Sequence, residues 1–249
     1  SLPSATLLSL WRKTKFKMKY EKLSIRLQEV GEFVPQDAVL LDIGSDHAYL
    51  PIHLVKMGRI KSAIAGEVVQ GPYDSAKSNV ADFGLSDSIT VRLASGLAAF
   101  DPEIDGVDTI TIAGMGGHLI ADILGEGQEK LAQISRLILQ PNNGEWYLRN
   151  WLQAHQFQIS HEMILTENDK LYEIIVACPS KILIELSEDD LRFGPILRRE
   201  KSEVFRLKWQ SELRAHQAIL SQIPVSAADK RQEFLDKIAK IEEVLDVSK

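Results

Sequence analysis

The segment richest in chemistry-bearing side chains is DIGSDHAY, residues 42–49, at the end of an apolar run. The run predicts a strand, Gly44 a turn, and the following residues a helix. Doubly wound α/β folds bind ligands at such a turn. A dinucleotide-binding turn carries glycine at three spaced positions, but Asp46 and Ala48 take the later two here. Because Asp42 and Asp46 would repel a pyrophosphate and attract a sulfonium with a free amino group, the segment favours S-adenosylmethionine as cofactor.

Two further predicted strands are followed by candidate cofactor ligands. Glu67 follows the second strand, where an acidic side chain can accept hydrogen bonds from both hydroxyls of a ribose. Ser95 and Gly96 follow the third strand and could line the adenine. NAD enzymes also place an acidic residue after the second strand, and either stretch could be an exposed turn. These residues therefore indicate an adenosine-type ligand, but they do not distinguish S-adenosylmethionine from NAD.

The loops after the fourth and fifth predicted strands, AGMGG and QPNN, are candidates for holding the methyl acceptor. Three glycines in five positions allow close backbone approach to a ligand, although tight packing before the next helix is the alternative. Amide side chains can bond the edge of a base, although an Asn-rich turn is often only a turn. The Asn/Asp-Pro-Pro-aromatic motif of exocyclic-amino methyltransferases is missing, which weighs against N6-adenine methylation. We predict cofactor contacts at Ala113 and Gly114 and substrate contacts at Met115, Gly116, Gly117, Gln140, Pro141 and Asn142.

Alternating apolar and amphipathic segments predict the sheet that positions these loops. After an N-terminal helix at 22–34, we expect strands at 38–43, 62–65, 89–93, 107–112 and 136–139, with helices at 50–57, 73–83, 118–124 and 146–155. This alternation predicts parallel strands with right-handed crossovers. Strand-like runs at 157–165 and 171–178 flank a short turn and predict the antiparallel hairpin that usually closes a methyltransferase sheet. The predicted fold class is thus α/β, a doubly wound, Rossmann-like class I methyltransferase sheet with a terminal antiparallel hairpin.

The alternation stops after Pro179, and two long helices are predicted at 196–220 and 227–247. Their apolar residues recur at spacings of three and four, which predicts a helical hairpin resembling an antiparallel coiled coil. We therefore divide the chain into a tail or added sequence at 1–17, a cofactor-binding domain at 18–180, and a helical appendage at 181–249.

Composition narrows the classes of protein that fit. The chain has 249 residues, a formal net charge of −6 and 45% hydrophobic residues, which is ordinary for a globular protein. One cysteine and no apolar stretch near the length of a bilayer predict a cytoplasmic protein with no membrane partner. The histidines lack the spacing of a zinc site, so no catalytic metal is expected. Two basic clusters are either phosphate contacts or solvated faces: Arg12, Lys13, Lys15, Lys17, Lys19, Lys22 and Arg26, then Arg192, Arg198, Arg199, Lys201, Arg206 and Lys208.

Five ordered motifs carry a more specific resemblance: 42–51, 66–72, 112–117, 140–142 and 192–195. Over roughly residues 18–249, the chain resembles the bacterial tRNA adenine-N1 methyltransferase family that modifies position 22 of tRNA. The resemblance implies a class I methyltransferase domain, a coiled-coil-like C-terminal domain, S-adenosylmethionine and a tRNA substrate. Ser95 stands where this family is expected to have Asn.

Such an activity predicts roles for particular residues. The lone pair of adenine N1 can attack the methyl group directly, and the product purine is positively charged, so Asp46 is the expected charge-stabilising residue, with His47 and Tyr49 shaping the pocket. Arg198 and Arg199 are expected to grip the RNA backbone. A small-molecule methyltransferase and a noncatalytic RNA-binding module are the alternatives. The sequence leaves the oligomeric state open, with a monomer as one option.

Overall fold

The computed structural model describes residues 23–182 and 184–246, which form one mixed seven-stranded sheet flanked by helices. The strand order is β3-β2-β1-β4-β5-β7-β6. The strands are β1 Val39–Ile43, β2 Ser62–Glu67, β3 Ile89–Leu93, β4 Thr109–Met115, β5 Arg136–Pro141, β6 Phe157–Glu167 and β7 Lys170–Pro179.

Nine α-helices in the described residues connect or follow these strands. They are α1 Ile25–Glu32, α2 Tyr49–Lys56, α3 Gln70–Asp82, α4 Gly117–Glu126, α5 Glu145–Ala154, α6 Glu188–Phe193, α7 Leu197–Glu200, α8 Glu203–Gln222 and α9 Ala228–Val244. Short 3₁₀ helices cover Gly96–Ala99 and Gln128–Gln133. Within the described part of the chain, no helix is both long and apolar enough to cross a membrane.

Strand direction brings the predicted ligand loops to one edge of the sheet. β1 to β5 are mutually parallel, so their carboxyl ends lie together, while β7 runs antiparallel to both β5 and β6. This topology confirms the doubly wound sheet with a terminal antiparallel hairpin.

The core has two layers because alternate strand residues face opposite sides of the sheet. On one side Leu41 and Ile112 pack against Ile120 of α4 and Leu148 of α5. On the other side a second cluster joins the sheet to α1, α2 and α3, with members Val30, Leu40, Leu50, Ala65 and Val80. Burial of both faces explains why the parallel strands read as unbroken apolar runs.

The C-terminal region corrects the prediction of one helix over 196–220. Lys201 adopts a left-handed conformation, with φ of 46°, and ends α7. Ser202 then caps α8, its hydroxyl accepting a hydrogen bond of 3.2 Å from the backbone N–H of Phe205. A left-handed residue followed by an N-cap interrupts a helix even where apolar spacing continues. The prediction also missed α6, whose start is fixed by a capping box between Ser187 and Asp190.

The pair α8 and α9 packs together and against the sheet. Phe205 and Trp209 near the start of α8 contact Ile241 and Val244 near the end of α9, so the two helices run antiparallel. The same cluster includes Ile164 of β6. The helical character predicted for this region is confirmed, while its coiled-coil geometry and the division at residue 180 stay predictions.

A buried ionic cluster joins α5, the β6–β7 hairpin and the C-terminal helices. The Arg149 guanidinium is fully buried and donates to Glu162 at 2.8 Å and to Glu173 at 2.7 Å. Lys208 of α8 donates to Glu173 at 2.7 Å. Burial alone would raise the pKa of Glu173, but the two cations outweigh burial and hold that pKa below its usual value.

The motif at 192–195 is explained by this cluster. Gly194 has φ of 89°, and a Cβ there would lie 2.7 Å from the Glu162 carboxylate and 2.8 Å from the Arg149 guanidinium. The chain then turns so that the backbone N–H of Ile196 donates to Glu162 at 2.9 Å. Glycine is therefore required where the chain passes over a buried ion pair.

Candidate cofactor and acceptor site

Asp42 holds the first loop from inside the protein. Its side chain accepts hydrogen bonds from the hydroxyls of Ser45 at 2.6 Å and Thr111 at 2.7 Å, and the residue is 4% exposed. Burial raises the pKa of Asp42 to about 6, against the opposing effects of the two hydroxyls and of the Arg26 charge. Both carboxylate oxygens are already engaged, so the predicted contact of Asp42 with a cofactor stays a prediction.

The loop backbone is held in an uncommon conformation. Gly44 has φ of 66°, and Asp46, His47 and Ala48 have φ of 45°, 68° and 58°. A Cβ on Gly44 would collide with the Met115 side chain from the neighbouring strand. Left-handed backbone costs non-glycine residues about 1–2 kcal/mol each, and strain of this kind concentrates at functional sites.

Glu67 carries a buried oxygen with an unused hydrogen-bonding capacity. The residue is 5% exposed, and no group in the described residues bonds its Oε1 atom. Burial raises its pKa, while a hydrogen bond from the Asp46 backbone lowers it. Leaving a buried acceptor unsatisfied costs about 1–3 kcal/mol, and a ribose hydroxyl would supply the missing donor. The residues at this strand end therefore fit a nucleoside cofactor.

The turn after β3 gives a different explanation for Gly96. Gly96 is buried with φ of 52°, and a Cβ there would lie 3.0 Å from Ile123 of α4. Ser95 is exposed, and its carbonyl accepts a hydrogen bond of 3.0 Å from Ala98. Packing of the turn against α4 accounts for the glycine, and the adenine contact of both residues stays a prediction.

The glycine-rich loop after β4 begins with a β-bulge. Ala113 pairs with Gln140 and Met115 with Pro141, so Gly114 is the extra residue, with φ of 79°. Its backbone N–H turns to the Gln140 side chain, 2.9 Å away. Bulges redirect a strand beside a functional site, and glycine supplies the backbone angle.

Gly116 and Gly117 serve close packing between the two acceptor loops. The N–H of Gly117 donates to the Asn143 carbonyl at 2.8 Å, and the N–H of Asn142 donates to the Met115 carbonyl at 2.8 Å. A Cβ on Gly117 would overlap the Gly144 carbonyl. Tight packing, the alternative to a ligand contact, therefore explains Gly117, and the substrate contacts predicted for these loops stay predictions.

Gln140 is fully buried and satisfied within the protein. Its Oε1 atom accepts from Gly114 and, at 2.5 Å, from the Arg26 guanidinium. Its amide donates to the carbonyl of Pro141 at 3.0 Å and to the side chain of Asn142 at 3.2 Å. Gln140 thus fixes the loop, and the exposed Asn142 is the amide better placed to meet a substrate.

The three residues predicted to be catalytic lie together on the first loop and the start of α2. The Asp46 side chain is 80% exposed, and one of its oxygens lies 3.3 Å from Nε2 of His47. The His47 ring stacks on Tyr49 with centroids 5.2 Å apart. The backbone carbonyl of His47 accepts a hydrogen bond of 2.9 Å from Asn79 of α3. An exposed carboxylate beside an imidazole and a phenol can orient a base and stabilise positive charge developing on it.

Sequence reasoning missed two features at the same edge. The sequence places Arg26 in a basic cluster of phosphate contacts or solvated charges, yet its guanidinium reaches the acceptor loop through Gln140. His118 and Tyr147, at the starts of α4 and α5, stack with ring centroids 3.9 Å apart and are both exposed. The sequence does contain a signal for this pair, because His118 directly follows the loop at 113–117 and Tyr147 comes soon after the loop at 140–143.

Three of the six residues in the second basic cluster pair with carboxylates, among them Lys208 with Glu173. Arg198 donates to Asp190 at 2.7 Å, and Lys201 donates to Asp246 at 2.6 Å. Arg199 is exposed and lies beside Ile159 of β6. Ile159 pairs with Ala177 of β7, and Ala177 pairs with Leu137 near the amino end of β5. Arg199 is therefore near the opposite edge of the sheet from the candidate site. Its tRNA contact stays a prediction.

The described residues contain no cluster of three or more His, Cys, Asp or Glu side chains that could hold a metal ion.

The comparisons with known proteins agree on one family. Residues 40–243 match the family model "TrmK: tRNA (adenine(22)-N(1))-methyltransferase". The chain is 42% identical over 241 residues to the tRNA (adenine(22)-N(1))-methyltransferase of Bacillus subtilis (strain 168), covering 90% of this chain and 98% of the relative.

Solved structures extend this similarity. A Streptococcus pneumoniae protein in complex with S-adenosyl-L-methionine is 56% identical with a TM-score of 0.84, covering 90% of this chain and 100% of that chain. M. capricolum TrmK, solved with the cofactor product S-adenosyl-homocysteine, is 33% identical with a TM-score of 0.82, covering 91% and 99%.

Proposed function

Because this chain belongs to the tRNA (adenine(22)-N(1))-methyltransferase family, we propose that it methylates N1 of adenine 22 in tRNA with S-adenosylmethionine as the methyl donor. The observation that carries the proposal is the buried Oε1 of Glu67, which has no partner among the described residues, beside a left-handed loop that carries Asp46. A ribose hydroxyl would donate a hydrogen bond to the Glu67 oxygen, and a cationic cofactor would be attracted by the carboxylate of the loop.

Each part of the strand-end edge has a separate task in this proposal. Glu67 binds the ribose, and the loop at 44–48 holds the methionine portion beside Asp46. When bound, the cofactor supplies a methyl group on a positively charged sulfur, which a neutral nitrogen lone pair can accept without prior deprotonation. The bulge at Gly114 and the exposed Asn142 face the incoming base. Orientation is the main contribution of these residues.

Asp46 is the proposed charge-stabilising residue because N1 methylation leaves a cation on the purine. Asp46→Asn is the sharper test than an alanine variant, since asparagine tolerates the left-handed backbone at this position. We expect kcat to fall roughly 10- to 100-fold, less than the roughly 100- to 1000-fold of a buried electrostatic contact because Asp46 is 80% exposed, with cofactor affinity less affected. Full turnover on a verified substrate tRNA would remove Asp46 from this role.

A base within folded tRNA must leave its stack before its N1 atom can react. The exposed His118–Tyr147 pair offers a flat surface next to the acceptor loops, suited to an unstacked base. The C-terminal helices are proposed to contact the RNA backbone elsewhere. The cytoplasmic location and the monomeric state remain expectations.

The deciding experiment is methyl transfer to unmodified tRNA, followed by mapping of the methylated nucleotide. We expect one N1-methyladenine at position 22 and no product on a tRNA with guanine there. Methylation of purified metabolites but not of tRNA would favour a small-molecule enzyme. Binding of tRNA without binding of S-adenosylmethionine would favour a noncatalytic module.

A further inference from the structure

The proposed cofactor carries three charges, and the site described above accounts for two of them. Its sulfonium and ammonium groups are attracted by the carboxylates of Asp42, Asp46 and Glu67. Its methionine carboxylate would be repelled by the same residues. A cation near the ends of β1 and β4 would therefore favour binding of the whole cofactor.

Arg26 is a cation in that position. Its guanidinium lies 3.5 Å from the point where a Cβ of Gly114 would be, and its charge lowers the pKa of the buried Asp42. Gln140 accepts a hydrogen bond of 2.5 Å from one terminal nitrogen, and the guanidinium lies 5.5 Å from the centre of the Tyr172 ring. The arginine is thus aimed across the carboxyl edge of the sheet, between the donor and acceptor loops.

The element carrying Arg26 is anchored. The backbone N–H groups of Ile25 and Arg26 donate to the Glu167 carboxylate at 2.8 and 3.3 Å, which fixes the first turn of α1 on the β6–β7 hairpin. A carboxylate at a helix N-terminus is favourably placed. Arg26 is consequently held in place by the fold.

The guanidinium has no anionic partner among the residues that the structure describes. Its one side-chain hydrogen bond there goes to a neutral amide, and none of the salt bridges formed in that part of the chain includes it. A half-buried cation with remaining N–H donors favours binding of an oxyanion.

We propose that Arg26 binds the methionine carboxylate of S-adenosylmethionine and so positions the donor. The inference rests on the proposed function, because it assigns a residue to the cofactor of that activity. Arg26 then provides the anion-binding part of a site otherwise built from acids, and Gln140 and Tyr172 orient it.

Decarboxylated S-adenosylmethionine is the decisive probe, because it lacks only the group that Arg26 is proposed to bind. Calorimetric binding of both compounds is measured with wild type, Arg26→Met, Arg26→Lys and, as an exposed arginine control, Arg214→Met. We expect Arg26→Met to weaken binding of the intact cofactor roughly 10- to 150-fold and to leave the decarboxylated compound nearly unchanged. Arg26→Lys should recover part of the loss, and the control should match wild type.

Two results would overturn the proposal. Equal loss for both compounds would mean that Arg26 only supports the loop through Gln140. Unchanged cofactor binding, with weaker tRNA binding and a shallower salt dependence, would assign Arg26 to an RNA phosphate. If wild type binds neither S-adenosylmethionine nor S-adenosylhomocysteine, the proposed function itself fails, which is a separate outcome.

Discussion

Replacing Arg149 by methionine tests the buried ionic cluster that joins α5 to the C-terminal helices. The substitution leaves Glu162 and Glu173, which are 0% and 2% exposed, without their shared cation. Breaking a buried ion pair by removing one partner costs about 3–5 kcal/mol. Glu173 keeps Lys208, and Glu162 keeps backbone donors, so we expect the lower end, about 3 kcal/mol. For a chain of this length that corresponds to a fall in Tm of roughly 6–12 °C.

Urea denaturation at about pH 5 and pH 8 gives the most informative measurement. Burial already raises the pKa of Glu162 in wild type, and loss of the Arg149 charge raises it further in the variant, so the variant loses more stability as pH rises through that pKa. The deficit relative to wild type should be larger at the higher pH. Adding Glu162→Gln should recover much of the loss, because the uncompensated charge disappears while Glu173 keeps its pairing with Lys208. The matched control is Arg199→Met on the exposed surface.

A deficit below about 1 kcal/mol, or one independent of pH, would refute the reasoning.

Three further predictions concern two residues of the candidate site and the proposed RNA contact of Arg199. Asp42→Asn removes a carboxyl whose pKa is raised to about 6. In urea titrations, the stability of wild type relative to the variant should fall by about 3 kcal/mol as pH rises from about 4 to 6, and should then level off. Glu67→Gln should weaken S-adenosylmethionine binding roughly 10- to 150-fold in calorimetry through loss of a charged acceptor, with Tm nearly unchanged; equal affinity would contradict the ribose contact. Arg199→Gln, chosen because Arg198 is already paired with Asp190, should reduce tRNA affinity and make the slope of log K against log salt shallower by about 1; identical slopes would remove Arg199 from the interface.

The parallel sheet was predictable because burial on both faces gives strands that are apolar throughout. The runs at 38–43 and 136–139 identified β1 and β5 for this reason, and the polar or glycine residues after each run marked the ligand edge. Chain order alone therefore placed Asp42 and Glu67 at the same edge as the acceptor loops.

Other features depend on contacts between residues distant in sequence. The single helix predicted at 196–220 runs across Lys201. The left-handed backbone of Lys201 separates α7 from α8, and the spacing of apolar residues does not reveal it. Arg149 lies within the helix predicted at 146–155, and its partners Glu162 and Glu173 lie on separate strands, so the local pattern does not reveal the buried ionic cluster. Arg198 was predicted to contact RNA because the sequence does not show that it pairs with Asp190, which lies on a different short helix.

The backbone-to-backbone contact between the loops at 115–117 and 142–144 limits how the enzyme can admit a nucleotide. Two hydrogen bonds and a glycine packed against a carbonyl leave these loops no room to slide past each other. They should move as one body, and because α1 is anchored to Glu167, we expect widening of the entrance to come from the loop at 44–48. Hydrogen exchange should then be slow at Gly117 and Asn142 and faster across the turn at 46–48.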